Sequence, residues 1–165
     1  MLLISQVASP GQIAAAEELL REYTAWAISL EPGSEHAPAF EGLDRELATL
    51  PGVYAPPKGR LLLATHEGRP AGCVCLRRHD AETGEVKRLY VRPGFRGLNV
   101  GRQLIARLLE EARAAGYRRM VLDSHKSMTA AHALYEAAGF RRVSPPDDVP
   151  DRIKEIAVFM ECELS

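Results

Sequence analysis

Between Asn99 and Gly116 apolar residues recur at helical spacing. Val100, Leu104, Leu108 and Ala112 fall every four positions, and Ile105 and Leu109 widen the stripe. Gly116 fits a C-cap. A second helical stripe carries Ile13, Leu19, Leu20, Tyr23, Ala27 and Leu30 and runs to about Ser29. It is introduced by Ser9-Pro10-Gly11-Gln12, which has the form of a capping box: a Ser N-cap, Pro at the first helical position and Gln at the third. Two shorter helices are expected at 39–50 and 127–138, the latter ended by Gly139. The compact apolar runs 2–8, 60–66, 71–79, 85–91, 119–123 and 154–162 read as strands. Turn-forming residues separate them, at 31–38, at the proline-rich 51–59, at Glu67-Gly68-Arg69-Pro70 and at 80–84. The prolines and aspartates between Arg142 and Arg152 predict a surface loop.

The resulting order is β-α-α-β-β-β-α-β-α-β-β, without repeats or low-complexity tracts. Strand 85–91, helix 99–116 and strand 119–123 form a right-handed crossover, which makes those two strands parallel neighbours or nearly so. The tight links elsewhere predict antiparallel pairing. The fold class is therefore α/β: one mixed sheet with helices on both faces. At 165 residues the simplest organisation is a single domain, 1–165.

Charge narrows the partners. The 21 Lys and Arg nearly balance 22 Asp and Glu, so no basic surplus points to nucleic acid or an anionic membrane. Apolar runs such as Leu61-Leu62-Leu63-Ala64 are too short to span a bilayer. The opening residues lack a basic segment and a long apolar core, so they do not read as a signal peptide. An odd set of three cysteines suits a reducing, cytoplasmic setting. Cys73 and Cys75 share one strand face; without a second Cys/His pair at ligand spacing they read as core residues, and no metal is expected.

The chemistry-bearing feature is the passage from strand 85–91 into the best helix. The loop holds Pro93, Gly94 and Gly97, and the turn that follows holds Asn99, Val100 and Gly101. A strand, a small-residue loop and a helix start form an arrangement that binds phosphate. The first amides of a helix have no partner within it and carry partial positive charge. Arg96 and Arg102 flank the turn. No GxxxxGK[ST] string occurs, and Gly94, Gly97 and Gly101 are wrongly spaced for a dinucleotide fingerprint.

Three stretches instead resemble the GCN5-related N-acetyltransferase (GNAT) superfamily. Leu89-Tyr90-Val91-Arg92-Pro93 leads into Arg96-Gly97-Leu98-Asn99-Val100-Gly101, which is similar to the pyrophosphate signature Q/R-x-x-G-x-G/A. It matches at Arg96 and Gly101 and departs at Asn99, where the signature has Gly; Asn tolerates positive φ better than most residues. Ala131 to Phe140 resembles A-x-x-L-Y-x-x-x-G-F, and Glu85 stands where many members carry a carboxylate base. The resemblance in element order covers nearly the whole chain.

That resemblance implies an enzyme using acetyl-CoA as co-substrate, with direct attack by an amine in a ternary complex. The pyrophosphate would rest on Arg96, Gly97, Leu98, Asn99, Val100, Gly101 and Arg102. The pantetheine arm would run along strand 85–91, at Leu89 and Val91, where that strand splays from its neighbour, with the Leu89 amide facing the thioester carbonyl. Glu85 would be the base and Tyr135 the acid, and the first two helices, with Tyr23, Trp26 and Phe40, would shape the acceptor pocket. The acceptor would be a small-molecule or peptide amine, and dimers are frequent in the family.

Structural roles compete at each position. Glu85 reads equally as a solvated strand-start residue and Tyr135 as a core aromatic. His125, with Ser124 at a strand end, is an alternate base. His36, His66, His79 and His132 carry no spacing signal, and Lys87 and Arg88 alternate across a strand without an assigned role. A catalytically silent CoA-binding module is the rival function. A protein modifier would instead need an acidic groove, for which Glu31, Glu35, Glu41 and Asp44 lie in the right region.

Overall fold

A computed structural model describes residues 1–37 and 40–164. Its elements are β1 (Leu2–Gln6), α1 (Pro10–Leu30), α2 (Leu43–Ala48), β2 (Arg60–His66), β3 (Arg69–Arg78), β4 (Thr83–Val91), α3 (Val100–Ala114), β5 (Arg119–His125), α4 (Thr129–Ala137), β6 (Arg141–Val143), α5 (Asp151–Ile156) and β7 (Ala157–Glu163). The strands form one seven-stranded sheet ordered β1-β2-β3-β4-β5-β7-β6. β4 and β5 are parallel and the other pairs antiparallel, the mixed sheet expected from the crossover.

Each face buries its own core. On one side α1 and α2 cover Leu61, Leu63, Cys73, Cys75 and Tyr90 with Leu19, Leu20 and Leu47. On the other, Leu104, Ile105 and Leu108 of α3 pack on Leu62, Val74, Leu76 and Val86. The α3 stripe thus lies against the sheet. The capping box at α1 is formed: Ser9 Oγ accepts from the Gln12 amide (3.2 Å), and Gln12 Oε1 accepts from the Ser9 amide (3.1 Å). Cys73, Cys75 and Cys162 are buried free thiols; burial pushes Cys73 up to about 12, so it stays protonated.

Four expectations need correction. Helix α2 is shorter than 39–50. Gly42, at φ +72°, sits outside its first turn, and Ala39 lies outside the described residues. Strand 154–162 begins only at Ala157; Asp151–Ile156 is the helix α5, set up by extended Pro150 and an acidic first turn. Lys87 and Arg88 do not face opposite ways. A bulge interrupts the β3–β4 register between Cys73↔Tyr90 and Cys75↔Lys87, with Arg88 at φ +57°. It puts both side chains on the α1/α2 face. β5 also runs two residues further than 119–123, because β7 pairs with Ser124 and His125.

The sheet also has a gap. β4 and β5 pair only at Thr83↔Arg119, Gly84↔Met120 and Glu85↔Val121. β4 continues to Val91 and β5 to His125, so from Val86 outward the two strands part.

Candidate active site

The floor of the site is the start of α3. Asn99 holds the left-handed conformation (φ 60°, ψ 23°), and its side chain makes no cap hydrogen bond. The departure from the glycine signature therefore keeps the backbone shape the signature serves. Gly97 is also left-handed (φ +86°). The first amide to find an intrahelical acceptor is Gln103, which donates to the Asn99 carbonyl (3.1 Å). The amides of Val100, Gly101 and Arg102 precede it at the helix's positive end. A Cβ on Gly101 would stand 2.8 Å from Leu134 Cδ1, so the missing side chain lets α3 approach α4 closely.

A cavity of about 480 Å³ opens above this turn. Leu89, Tyr90 and Val91 form its β4 wall; Arg96, Gly97, Asn99, Val100, Gly101 and Arg102 line its base. Eight of the nine residues expected at a cofactor site thus meet in one groove. Leu98 is the exception; its side chain points to solvent and is 44% exposed. Arg96 Nε donates to the Val91 carbonyl (3.2 Å), tying the loop to the strand end.

A second cavity, about 170 Å³, fills the gap between β4 and β5. Tyr23, Trp26 and Ala27 of α1 reach it from one face of the sheet, and Ala131 and Tyr135 of α4 from the other. The two cavities share Trp26, Leu89, Met128 and Ala131, and meet there. Leu89 follows the bulge and stands at the junction.

Tyr135 packs its ring on Phe140 (centroids 5.6 Å apart). Burial first, and then the neighbouring Tyr23 and Asp123, holds its phenol well above the usual tyrosine range, so it remains a proton donor at neutral pH. Glu85 is at the closed end of the gap. It pairs with Arg77 (3.0 Å) and Lys87 (3.7 Å) and is not among the cavity walls. Asp123, two residues beyond Glu85's partner Val121, is in the wall. It makes no ion pair within 4.0 Å among the described residues. Its carboxyl is raised above the ordinary value, chiefly by burial, opposed by Lys87 and helped by Glu85. The side chain is solvent-exposed, so this is the rise of a wet cleft closed in by protein, not of a dry core.

Sequence reasoning did not single out Asp123: a lone aspartate in an apolar strand has no motif around it. The buried Arg88 was also passed over. It is held by Glu46 (Nε to Oε2 2.8 Å, Nη2 to Oε1 3.2 Å), and Tyr54 donates to the same carboxylate (3.0 Å). His125 joins the cavity but is fully engaged. Nδ1 accepts from the Ser127 amide (3.2 Å), which leaves the ring proton of a neutral imidazole on Nε2, facing Glu31 Oε1 (2.9 Å). That ring has no free lone pair for a substrate. His132, 2% exposed, meets Ser124 Oγ through Nε2 (3.1 Å). Of the four acidic residues weighed for a protein-binding groove, only Glu31 lines the cavity.

Residues 17–140 match the Acetyltransferase (GNAT) family. An uncharacterised N-acetyltransferase of Schizosaccharomyces pombe is 35% identical over 130 residues, 76% of this chain and 77% of that one. An IAA acetyltransferase of Azospirillum brasilense is 37% identical over 115 residues, 68% of this chain and 72% of that one. Among solved structures, the PaiA N-acetyltransferase of Thermoplasma acidophilum, in complex with coenzyme A, superposes with a TM-score of 0.77. It covers 99% of both chains at 17% identity, a likeness of fold.

Proposed function

The chain belongs to the acetyltransferase (GNAT) family, and on that premise we propose that it moves an acetyl group from acetyl-CoA directly to a primary amine, both held at once in the gap between β4 and β5. The observation that carries this reading is that gap itself. It connects the three amides that open α3 at one end with a buried phenol and a carboxylate without an ion pair among the described residues at the other.

The Val100–Arg102 amides, with Arg96 and Arg102 nearby, fit a pyrophosphate. The outer half of β4, unpaired toward β5, offers backbone donors and acceptors to the pantetheine arm in the manner of an added strand. The Leu89 amide donates to the carbonyl oxygen as it gains charge; one such donor is worth about 3 kcal/mol. The acceptor arrives as an ammonium. Asp123 takes its proton, with Glu85 behind it across Lys87 as the alternative route through water. The amine lone pair then forms the C–N bond as the C–S bond breaks. Tyr135 supplies a proton to the departing sulfur. The buried cysteines take no part, and their free state suits a cytoplasmic enzyme.

Titration of CoA by calorimetry, followed by a thiol-release assay with acetyl-CoA and a panel of amines, tests the reading. Heat of binding with release of free CoA supports it. No binding at millimolar CoA refutes it. Binding without release from any amine favours the silent CoA-binding module.

A further inference from the structure

The acceptor cavity also carries information about what enters it. Its cations each have a carboxylate beside them: Lys87 shares Glu85 with Arg77 (3.7 and 3.0 Å), and Arg88 is held by the two oxygens of Glu46. Its anions are less fully answered. Asp123 has no ion pair within 4.0 Å among the described residues, with Lys87 the first cation acting on it from farther off, and Glu31 pairs with a histidine that is charged only when protonated, with Lys126 and Arg152 beyond it. A carboxylate entering this cavity meets Asp123 and Glu31 and finds the wall's cations, Lys87 and Arg88, already beside carboxylates, whereas an ammonium finds Asp123 without an ion pair among the described residues. The remaining wall is apolar and aromatic. Tyr23 and Trp26 stand edge to face (centroids 6.1 Å apart), with Phe40, Met128, Ile153 and Ile156 around them. A volume of about 170 Å³ suits a body the size of one ring and not a folded peptide. One further polar atom is unaccounted for. Ser34 is 6% exposed, lines this cavity, and its Oγ has no hydrogen-bond partner among the described residues. A buried hydroxyl without a partner is costly, and a ligand group can satisfy it.

We propose that the acceptor is a primary amine on a short, uncharged aromatic or branched apolar body with one hydrogen-bonding group at its far end, and not an amino acid. The ammonium lies at Asp123 beside Tyr135, the body against Trp26 and Tyr23, and the distal group at Ser34. This inference rests on the acetyltransferase reading above.

Matched pairs of probes test it. Phenylalanine is phenethylamine with a carboxylate added, and tyramine is phenethylamine with a distal hydroxyl. The expected kcat/KM for phenethylamine exceeds that for phenylalanine or aspartate by about a hundredfold. Tyramine should show a KM about five-fold below that of phenethylamine, and Ser34→Ala should erase that difference. Phenylalanine or aspartate acetylated as well as phenethylamine overturns the proposal. Equal KM values for tyramine and phenethylamine in the unmodified protein overturn the role of Ser34. CoA binding by calorimetry, run beside these assays, separates the two levels. If CoA binds and only carboxylate-bearing amines are acetylated, the acceptor class is wrong and the enzyme reading stands. If CoA does not bind, both fall.

Discussion

Asn99 allows the start of α3 to be tested by a graded series at one position. Its φ of 60° is left-handed, and its side chain makes no cap hydrogen bond. Replacing it therefore removes no cap and changes only backbone strain. A left-handed residue with a Cβ costs roughly 1–2 kcal/mol relative to glycine, and Asn escapes part of that. Asn99→Ala should lose about 1 kcal/mol. Asn99→Val, with a branched Cβ at positive φ, should lose about 2 kcal/mol. Asn99→Gly relieves strain but frees the unfolded chain by about 0.5–1 kcal/mol, so it should stay within about 0.5 kcal/mol of the parent. For a chain of this length each kcal/mol moves Tm by about 2–4 °C. The series should thus read Gly and Asn together, Ala about 3 °C lower and Val about 6 °C lower by scanning calorimetry. The same strain bears on the three amides that follow. If they hold a pyrophosphate, Kd for CoA should rise about five-fold for Ala and more for Val, with Gly unchanged or tighter. Alanine as stable as glycine would contradict the conformation. Valine binding CoA as tightly as the parent would falsify the assignment of these amides.

Further outcomes follow from the same geometry. Tyr135→Phe keeps the ring on Phe140, so Tm and CoA affinity should hold while kcat falls about a hundredfold; a kcat within twofold of the parent removes Tyr135 from the chemistry. Asp123 must be ionised to accept a proton, and its folded pKa is raised, so kcat/KM should fall on the acid side at a pH above the ordinary aspartate value of 3.8. Asp123→Asn should lower the rate and abolish that limb, and an unchanged pH profile would return the role to Glu85. His132 has a folded pKa depressed below 6.5, mainly by burial. The unfolded chain then binds the extra proton, so the His132 contribution is intact above pH 6.5 and is lost as pH falls toward the folded pKa. Denaturant unfolding between pH 7.5 and 5.5 should show that loss, and His132→Asn should flatten it.

Local signals made much of this protein legible. The Ser9–Gln12 box, the α3 stripe and the strand-loop-helix passage each involve neighbours in sequence, and each formed as expected. The left-handed Asn99 could be anticipated because asparagine is the residue that best replaces glycine there. What stayed hidden depended on distant partners. Arg88 at φ +57° has no sequence signature, since arginine gains nothing from that conformation by itself; the bulge is upheld by Glu46, 42 residues away. α5 was masked by its surroundings of prolines and aspartates. Ser124 and His125 read as residues beyond a strand, yet pairing with β7 extends β5 to include them. Asp123 lines the cavity only because the sheet opens beside it.

Why the sheet opens there, and stays open, follows from how each lip is held. A parallel pair that stops after three rungs leaves backbone groups wanting partners, and without restraint the strands would close. The outer half of β4 is fixed from its own side. The bulge rotates Arg88 onto Glu46 of α2, and Arg92 at the strand end reaches Glu18 (2.9 Å) and Glu22 (2.6 Å) of α1. Those partners draw β4 toward α1 and α2. The outer half of β5 is drawn the other way in the sheet, by pairing with β7 through Ser124↔Val158 and His125↔Ala157. The His125–Glu31 contact then links the β5 lip back to the end of α1, bounding the gap at its mouth. Of these holding groups, Arg88, His125 and Glu31 also line the cavity, but Leu89, Tyr135 and Asp123 take no part in the holding. Because Arg88, Arg92 and His125 do the holding, the groups that the proposed reaction uses do not also have to keep the strands apart, a division that favours a cleft organised ahead of binding.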